Sequence, residues 1–202
     1  MSKYWRRSGW EVKATAEYVA GYTCVHRNGQ EKRKDSGVIS EISFPEKTLL
    51  IGKEAGSFYR DAFVVKTTKP DLDSKQVYHA IFGYLPKSVQ GLLKIRNRIV
   101  KWLGFKAGDT GMSLPFEEIS EGRQAGFLTI EVVSDTEVIC AAYEKNMDMW
   151  LSVMRLSEHE YALSTLVNLK TTSGRIYMAV IKPFHKMVAT YSIRQALKAG
   201  RI

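Results

Sequence analysis

Hydrophobic and polar positions lay out a clear order of elements from about residue 57 onward. "SFYRDAFVVKT" (57–67) ends in a β-branched apolar run and predicts a strand. After "KPDLD", Asp73 or Ser74 can cap a helix running through "KQVYHAIFGYL". Pro86 interrupts the chain, and Ser88 opens a second helix, "VQGLLKIRNRIVKWLG", with Gly104 as its stop. "FKAGDTGMSLPFEE" reads as irregular, with room for one short strand. Four segments of strand character follow: "AGFLTIEVVS", "TEVICAAYE", "MDMWLSVMRL" and "YALSTLVNLKT". The turns between them are short, so neighbours in sequence pair antiparallel in a meander. The chain closes with "GRIYMAVIKPFHKMVATYSIRQAL" (174–197), one long helix with Pro183 in its middle. This order predicts an α+β fold: a curved antiparallel sheet wrapped around a long C-terminal helix, with two helices inserted after the first strand. The volume between sheet and helix is where such an architecture would hold a pocket.

At 100° per residue, Ile176, Tyr177, Val180, Ile181, Phe184, Met187, Val188 and Tyr191 fall within one arc of roughly 140° of the terminal helix. Arg175, Lys182 and Lys186 fall on the other side. The apolar arc is expected to face the core. Pro183 removes the backbone bond to the carbonyl of Ala179 and should bend the helix there. His185 lies at the border of the arc, and residues 161–202 contain no Asp or Glu, so an acidic partner for it must come from elsewhere. In the second helix Val89, Leu92, Ile95, Ile99 and Leu103 form the apolar face, opposite Lys94, Arg98 and Lys101. Arg96 projects into the apolar sector. It must snorkel, pair with a carboxylate such as Asp61 or Glu131, or meet an anionic group in a cavity.

The first forty residues differ in character. "HRNGQEKRKDSG" is polar and turn-rich, and Asn28-Gly29 could close a hairpin. A boundary near Gly37 separates an N-terminal extension, 1–38, from a domain spanning 39–202. The whole chain, 202 residues and 45% hydrophobic, can bury one sizeable core. No stretch approaches the roughly 18 uninterrupted apolar residues of a membrane span, and the basic start lacks the apolar segment of a signal peptide. Cys24 and Cys140 form no CxxC pair, and Cys140 in "VICAAY" reads as a buried reduced thiol. A cytoplasmic location is the expectation.

The net charge of +9 is unevenly spread. Residues 74–108 hold seven bases and no acid, 109–160 three bases and eleven acids, and 161–202 seven bases and no acid. Such asymmetry fits either an anionic partner or attraction between helices and sheet. His26, His79, His159 and His185 are isolated from one another, with no HxxxH or HExxH spacing, so no metal site is predicted. "GKEAGSF" and "GDTGMS" match neither a P-loop nor a dinucleotide fingerprint, and there is no GxSxG elbow. Glu117-Glu118 reads as a solvated acidic turn. No cofactor is called for, and nothing here demands an enzyme.

"FYRDAF", "LLKIRNRIVKWLGFK" and "GRIYMAVIKPFHK" resemble three signature blocks of an uncharacterised bacterial family, domain of unknown function 2867. That family is grouped with the START-like helix-grip superfamily (SRPBCC), alongside Bet v 1 and the polyketide cyclases. The resemblance covers roughly residues 40–200. It implies a cavity between sheet and long helix suited to a hydrophobic or amphipathic small molecule. It also implies a nucleotide-dependent, reductase-like protein as a partner. In this reading Trp150, Met154, Tyr177, Phe184, Met187 and Tyr191 line the cavity, and Arg96 and His185 orient the ligand. The segment "EKNMDMWLSV" departs from the family pattern: Asn146 and Trp150 stand where a histidine and an arginine are expected, and Asp148 remains. Two alternatives accompany the binding function. One is a cyclase- or isomerase-type enzyme using His185 or Asp148 as general base. The other is an anionic-surface binder meeting lipid headgroups through Lys94, Arg98, Lys101, Lys182 and Lys186. Sequence-specific nucleic-acid binding is not expected, because no base-reading aromatics accompany the basic residues.

Overall fold

Strand alternation sets the architecture of this chain, seen in a computed structural model that describes residues 39–84, 91, 98 and 113–202. All of these belong to one unit, Gly37–Ile202. The expected N-terminal extension lies outside the described residues. So does most of the expected second helix, including Arg96, although Gly91 and Arg98 are both helical and exposed.

Seven strands form one antiparallel sheet: β1 (Ile39–Glu41), β2 (Phe58–Lys66), β3 (Gln124–Ala125), β4 (Leu128–Val133), β5 (Glu137–Tyr143), β6 (Met147–Arg155) and β7 (Glu160–Leu169). Their order across the sheet is β1-β2-β7-β6-β5-β4-β3. The predicted meander is therefore present as β4 to β7. β2 then pairs along the open edge of β7, in register from Phe58↔Asn168 to Lys66↔Glu160. The three-residue β1, too short to leave a hydropathy signal, extends the sheet beyond β2. Two α-helices, α1 (Ser74–Phe82) and the long α2 (Thr172–Lys198), and one 3-10 turn, Phe116–Glu118, are bounded within the described residues.

The helix boundaries follow from local chemistry. Asp73 caps α1 by accepting the N–H of Gln76, while Gln76 accepts the N–H of Asp73 in return, a reciprocal capping box. Thr171 caps α2 by accepting the N–H of Gly174 at 3.2 Å. α2 runs unbroken through Pro183. Both Pro183 and Ala179 are exposed, so the carbonyl that the proline leaves without its donor lies on the solvent side.

Each sheet face has its own cover. On one, Phe63, Val65, Val138, Cys140, Leu151, Val153, Tyr161 and Leu163 pack with Val77, Tyr78 and Ile81 of α1 and Ile193 and Ala196 of α2. On the other, Ile139, Ala141, Trp150 and Leu166 pack against Leu50 and Phe44 from the segment between β1 and β2. A bulge between Ile130 and Val132 lets β4 serve both: Ile130 pairs with Cys140 and faces the helices, while Val132 pairs with Ile139 and faces away. Cys140 is buried and reduced as expected. Burial pushes its thiol up to about 11, against a smaller downward pull from the Tyr78 hydroxyl.

The segment between β1 and β2 is pinned by buried polar groups. The Glu137 carboxylate accepts the Thr48 hydroxyl, the Leu49 N–H at 2.9 Å and the Ser152 hydroxyl at 2.5 Å. Asn168 donates to the Lys53 carbonyl and accepts the Ala55 N–H. With Thr48 and Leu50 held inward, Leu49 and Ile51 are left exposed.

Gly174, buried in the first turn of α2, stands at a position that has no room for a side chain. A Cβ there would sit 2.6 Å from the backbone carbonyl oxygen of Asn146. Asn146 itself is held against this turn, its Oδ1 accepting the hydroxyls of Thr171 and Ser173. Alanine normally favours a helix over glycine by about 1 kcal/mol. Here we expect the opposite sign: Gly174→Ala destabilises the fold by about 1–3 kcal/mol through overpacking, measured as a lower midpoint in denaturant unfolding.

Candidate functional site

The inward-pointing positions of β2 are Tyr59, Asp61, Phe63 and Val65, and three of the four suit a core. The fourth is a carboxylate. Register sets Asp61 directly opposite Thr165 of β7, and strand parity turns both toward α2. There α2 brings His185 down between them. The imidazole Nε2 lies 3.1 Å from the Thr165 hydroxyl and 3.5 Å from Asp61 Oδ1. Tyr59 donates its hydroxyl to the other oxygen, Oδ2, at 2.5 Å. The His185 ring meets the Tyr59 ring edge-on at 6.3 Å between centroids, and the Lys182 ammonium lies 5.5 Å from the Tyr59 ring centroid. Lys186 reaches Glu41 of β1 at 2.5 Å and closes the flank of the site.

Burial differs sharply across the cluster. The Asp61 side chain is 2% exposed and that of His185 26%. Oδ1 of Asp61 has no hydrogen bond among the described residues; its neighbour is the imidazole at ion-pair distance. Burial alone would raise the Asp61 carboxyl. The imidazole, the Tyr59 hydrogen bond and the Lys186 ammonium outweigh it and hold the group below its ordinary range. Desolvation, followed by the bond to the Asp61 carboxylate and its charge, drives Tyr59 well above the usual phenol value, so it stays a hydrogen-bond donor.

The other expected site residues scatter. Trp150 and Met154 do not share a face with α2. They pair with Leu166 and Ala162, whose side chains point to the opposite face of β7 from Thr165. No site between sheet and long helix includes them. Asp148 shares that remote face and is neutralised by Lys170 at 2.5 Å, far from any role beside His185. Tyr177 is buried against Met147, Met178 and Val167 as packing. Phe184, Met187 and Tyr191, expected to line a cavity, are 44%, 48% and 37% exposed. Of the expected residues that are described, His185 alone enters the buried polar cluster. Tyr59, Asp61 and Thr165 were not foreseen as part of it. Inward parity in "FYRDAFVVK" was the available signal, since it puts an acid in line with Phe63 and Val65. No group of three metal-ligating side chains occurs among the described residues. No helix among them is long and apolar enough to cross a membrane.

The depressed Asp61 carboxyl makes a signed prediction. Its folded value lies below the unfolded value of about 3.9, so the unfolded chain binds more protons in the interval between them. The associated stability is present above about pH 4 and lost as pH falls through the folded value. In thermal unfolding from pH 6 to about pH 3, the midpoint of the wild type should fall more steeply than that of Asp61→Asn; parallel curves would contradict this.

No curated protein and no solved structure matches the chain. One family pattern does, over residues 55–192, a span that contains all four members of the cluster. Its description reads "Protein of unknown function (DUF2867)". The match covers more than half of the chain, and the chain belongs to this family.

Proposed function

We propose that this protein binds a hydrophobic or amphipathic small molecule between the sheet and α2, in the manner of a START-like helix-grip domain, with His185 as its polar contact. The seven-stranded antiparallel sheet with a long terminal helix supports the helix-grip reading. The observation that carries the site is the Asp61 carboxylate, buried with one oxygen unbonded behind a partly exposed imidazole. Burying an ionised carboxylate costs several kcal/mol even when it is paired, and an apolar residue would pack the same position at no such cost. Asp61 is thus costly as structure and well suited to fixing the ring of His185. The ligand meets His185, with Asp61, Thr165 and Tyr59 behind it and apolar surface from Tyr177 and Ile181 alongside. Native mass spectrometry of the protein from its own cells, then denaturation and small-molecule analysis, tests this. One compound per chain is expected in the wild type and its loss in His185→Ala, with both proteins folded. A compound-free wild type that no member of an amphipathic panel stabilises thermally would overturn the reading.

One observation favours a second reading, an acid–base enzyme of the cyclase or isomerase type at the same place. Nε2 faces an ionised carboxylate, so in the neutral ring it carries the proton. Nδ1 then offers its lone pair, and it has no hydrogen bond among the described residues. A general base needs such an atom. Long-range 15N NMR should find the Nε2–H tautomer at His185 in the wild type and a mixture in Asp61→Asn; a dominant Nδ1–H form would exclude this role.

A further inference from the structure

The rim of the Asp61–His185 cluster carries a charge that the cluster itself does not answer. Each of its two acids already has a base against it. Asp61, 2% exposed at its side chain, lies behind the His185 ring at ion-pair distance, and Glu41 is held by Lys186 at 2.5 Å. α2 has five bases and no acid of its own. Lys182 is left over. It is exposed, its ammonium lies over the Tyr59 ring at 5.5 Å, and it makes no ion pair among the described residues.

Tyr59 is where this charge meets apolar surface. Its hydroxyl is committed to Asp61, its ring takes the edge of His185 at 6.3 Å, and Lys182 lies over its face. The same ring packs against the cluster of Met147, Val167 and Met178, where Ile181 and Leu169 are also only half-buried. Lys182 and His185 stand three positions apart, about one helical turn, so their side chains flank one spot on α2. With Nε2 of His185 turned to Thr165 and Asp61, Nδ1 is the ring nitrogen left for a ligand.

Charge decides which head this spot fits. A cationic head would set like charge against Lys182, and a neutral one would gain nothing from the ammonium. An oxyanion pairs with Lys182 and accepts a hydrogen bond from Nδ1 of the imidazolium, whose Nε2–H faces the Asp61 carboxylate. The buried acid does not repel such a head, because the imidazole lies between them. Resting on the binding reading above, we propose that the small molecule is an amphiphile with an oxyanion head, a carboxylate or a phosphate. Lys182 and His185 hold the head, and the apolar body lies along Tyr59 and Ile181. Lys182 selects for charge, and His185 places the head against the buried carboxylate.

Calorimetric titration of the full chain with a ten-carbon series, each compound below its micelle concentration, is the test. Decanoate and decyl phosphate should bind at least about tenfold more tightly than decanol, and decyltrimethylammonium should not displace them. Lys182→Gln should weaken both anions about tenfold and leave decanol within about twofold. Lys198→Gln, the same change of charge at an exposed position elsewhere on α2, should leave every affinity as it is. Equal affinity for decanol and the anions, or equal losses in the two variants, would overturn the oxyanion head and leave the small-molecule reading standing. Inorganic phosphate binding as tightly as decyl phosphate would overturn the amphiphile in favour of a free anion. Failure of every ten-carbon compound to bind would overturn this proposal outright, and the co-purifying compound sought by native mass spectrometry would then decide the binding reading by itself.

Discussion

Antiparallel pairing of β2 with β7 is the constraint on which the rest of this fold depends. It joins segments about a hundred residues apart and converts a local meander into a sheet whose longest strand is interior. Every residue of β7 from Tyr161 to Asn168 is buried as a result. The same register sets Asp61 opposite Thr165 and Tyr59 beside Val167. A slip of one residue would turn Arg60 toward α2 and Asp61 toward Trp150. The polar cluster therefore exists only in this register, and the apolar neighbours Phe63 and Val65 enforce it, since the slip would carry them out of the core as well.

Two buried carboxylates, one on each face of the sheet, show what ordinary structural duty looks like here. Glu137 is 3% exposed and has its oxygens filled by two hydroxyls and a backbone N–H; its consequence is a fastened segment between β1 and β2. Asp61 is buried nearly as well, yet one of its oxygens has only an imidazole at 3.5 Å. A buried carboxylate recruits donors until its lone pairs are satisfied, and Glu137 has done so. Asp61 spends half its capacity on orienting one ring whose far edge reaches the surface. That difference in satisfaction, rather than burial as such, separates the scaffold acid from the site acid.

Much of this was legible in the sequence, and the failures have physical causes. The strands of the meander, the capped α1 and the span of α2 follow from period, turns and caps, each a local property. Which face of a strand meets which cover is not local. β6 is buried on both faces, so Trp150 and Leu151 are equally apolar in sequence while lying on opposite sides of the sheet. Asp61 was visible as an inward acid, but its partner lies 124 positions away on another element and becomes its neighbour only through tertiary pairing. The apolar arc of α2 misled for a different reason: amphipathicity reports where most large apolar side chains lie, and this helix buries a mixed face, Gly174, Ser192 and Ala196 beside Tyr177, Met178 and Ile193.

The rotation of α2 is fixed at its two ends, and that accounts for its unusual middle. At the N-terminus Gly174 lies so close to the Asn146 carbonyl that no other side of the helix could occupy the position. At the far end Ile193, Ala196 and Ile202 are buried, Arg201 donates to the Ala80 carbonyl and Thr68 donates to the Ile202 carbonyl. With both ends set, the azimuth between them is no longer free. His185 must descend on Asp61, Pro183 must face outward with the Ala179 carbonyl on the solvent side, and the apolar ridge must point away from the sheet. The core gives up five large apolar side chains in this arrangement. Apolar burial alone would turn that ridge inward, so the close approach at Gly174 sets the rotation of α2 against the preference of its own apolar arc.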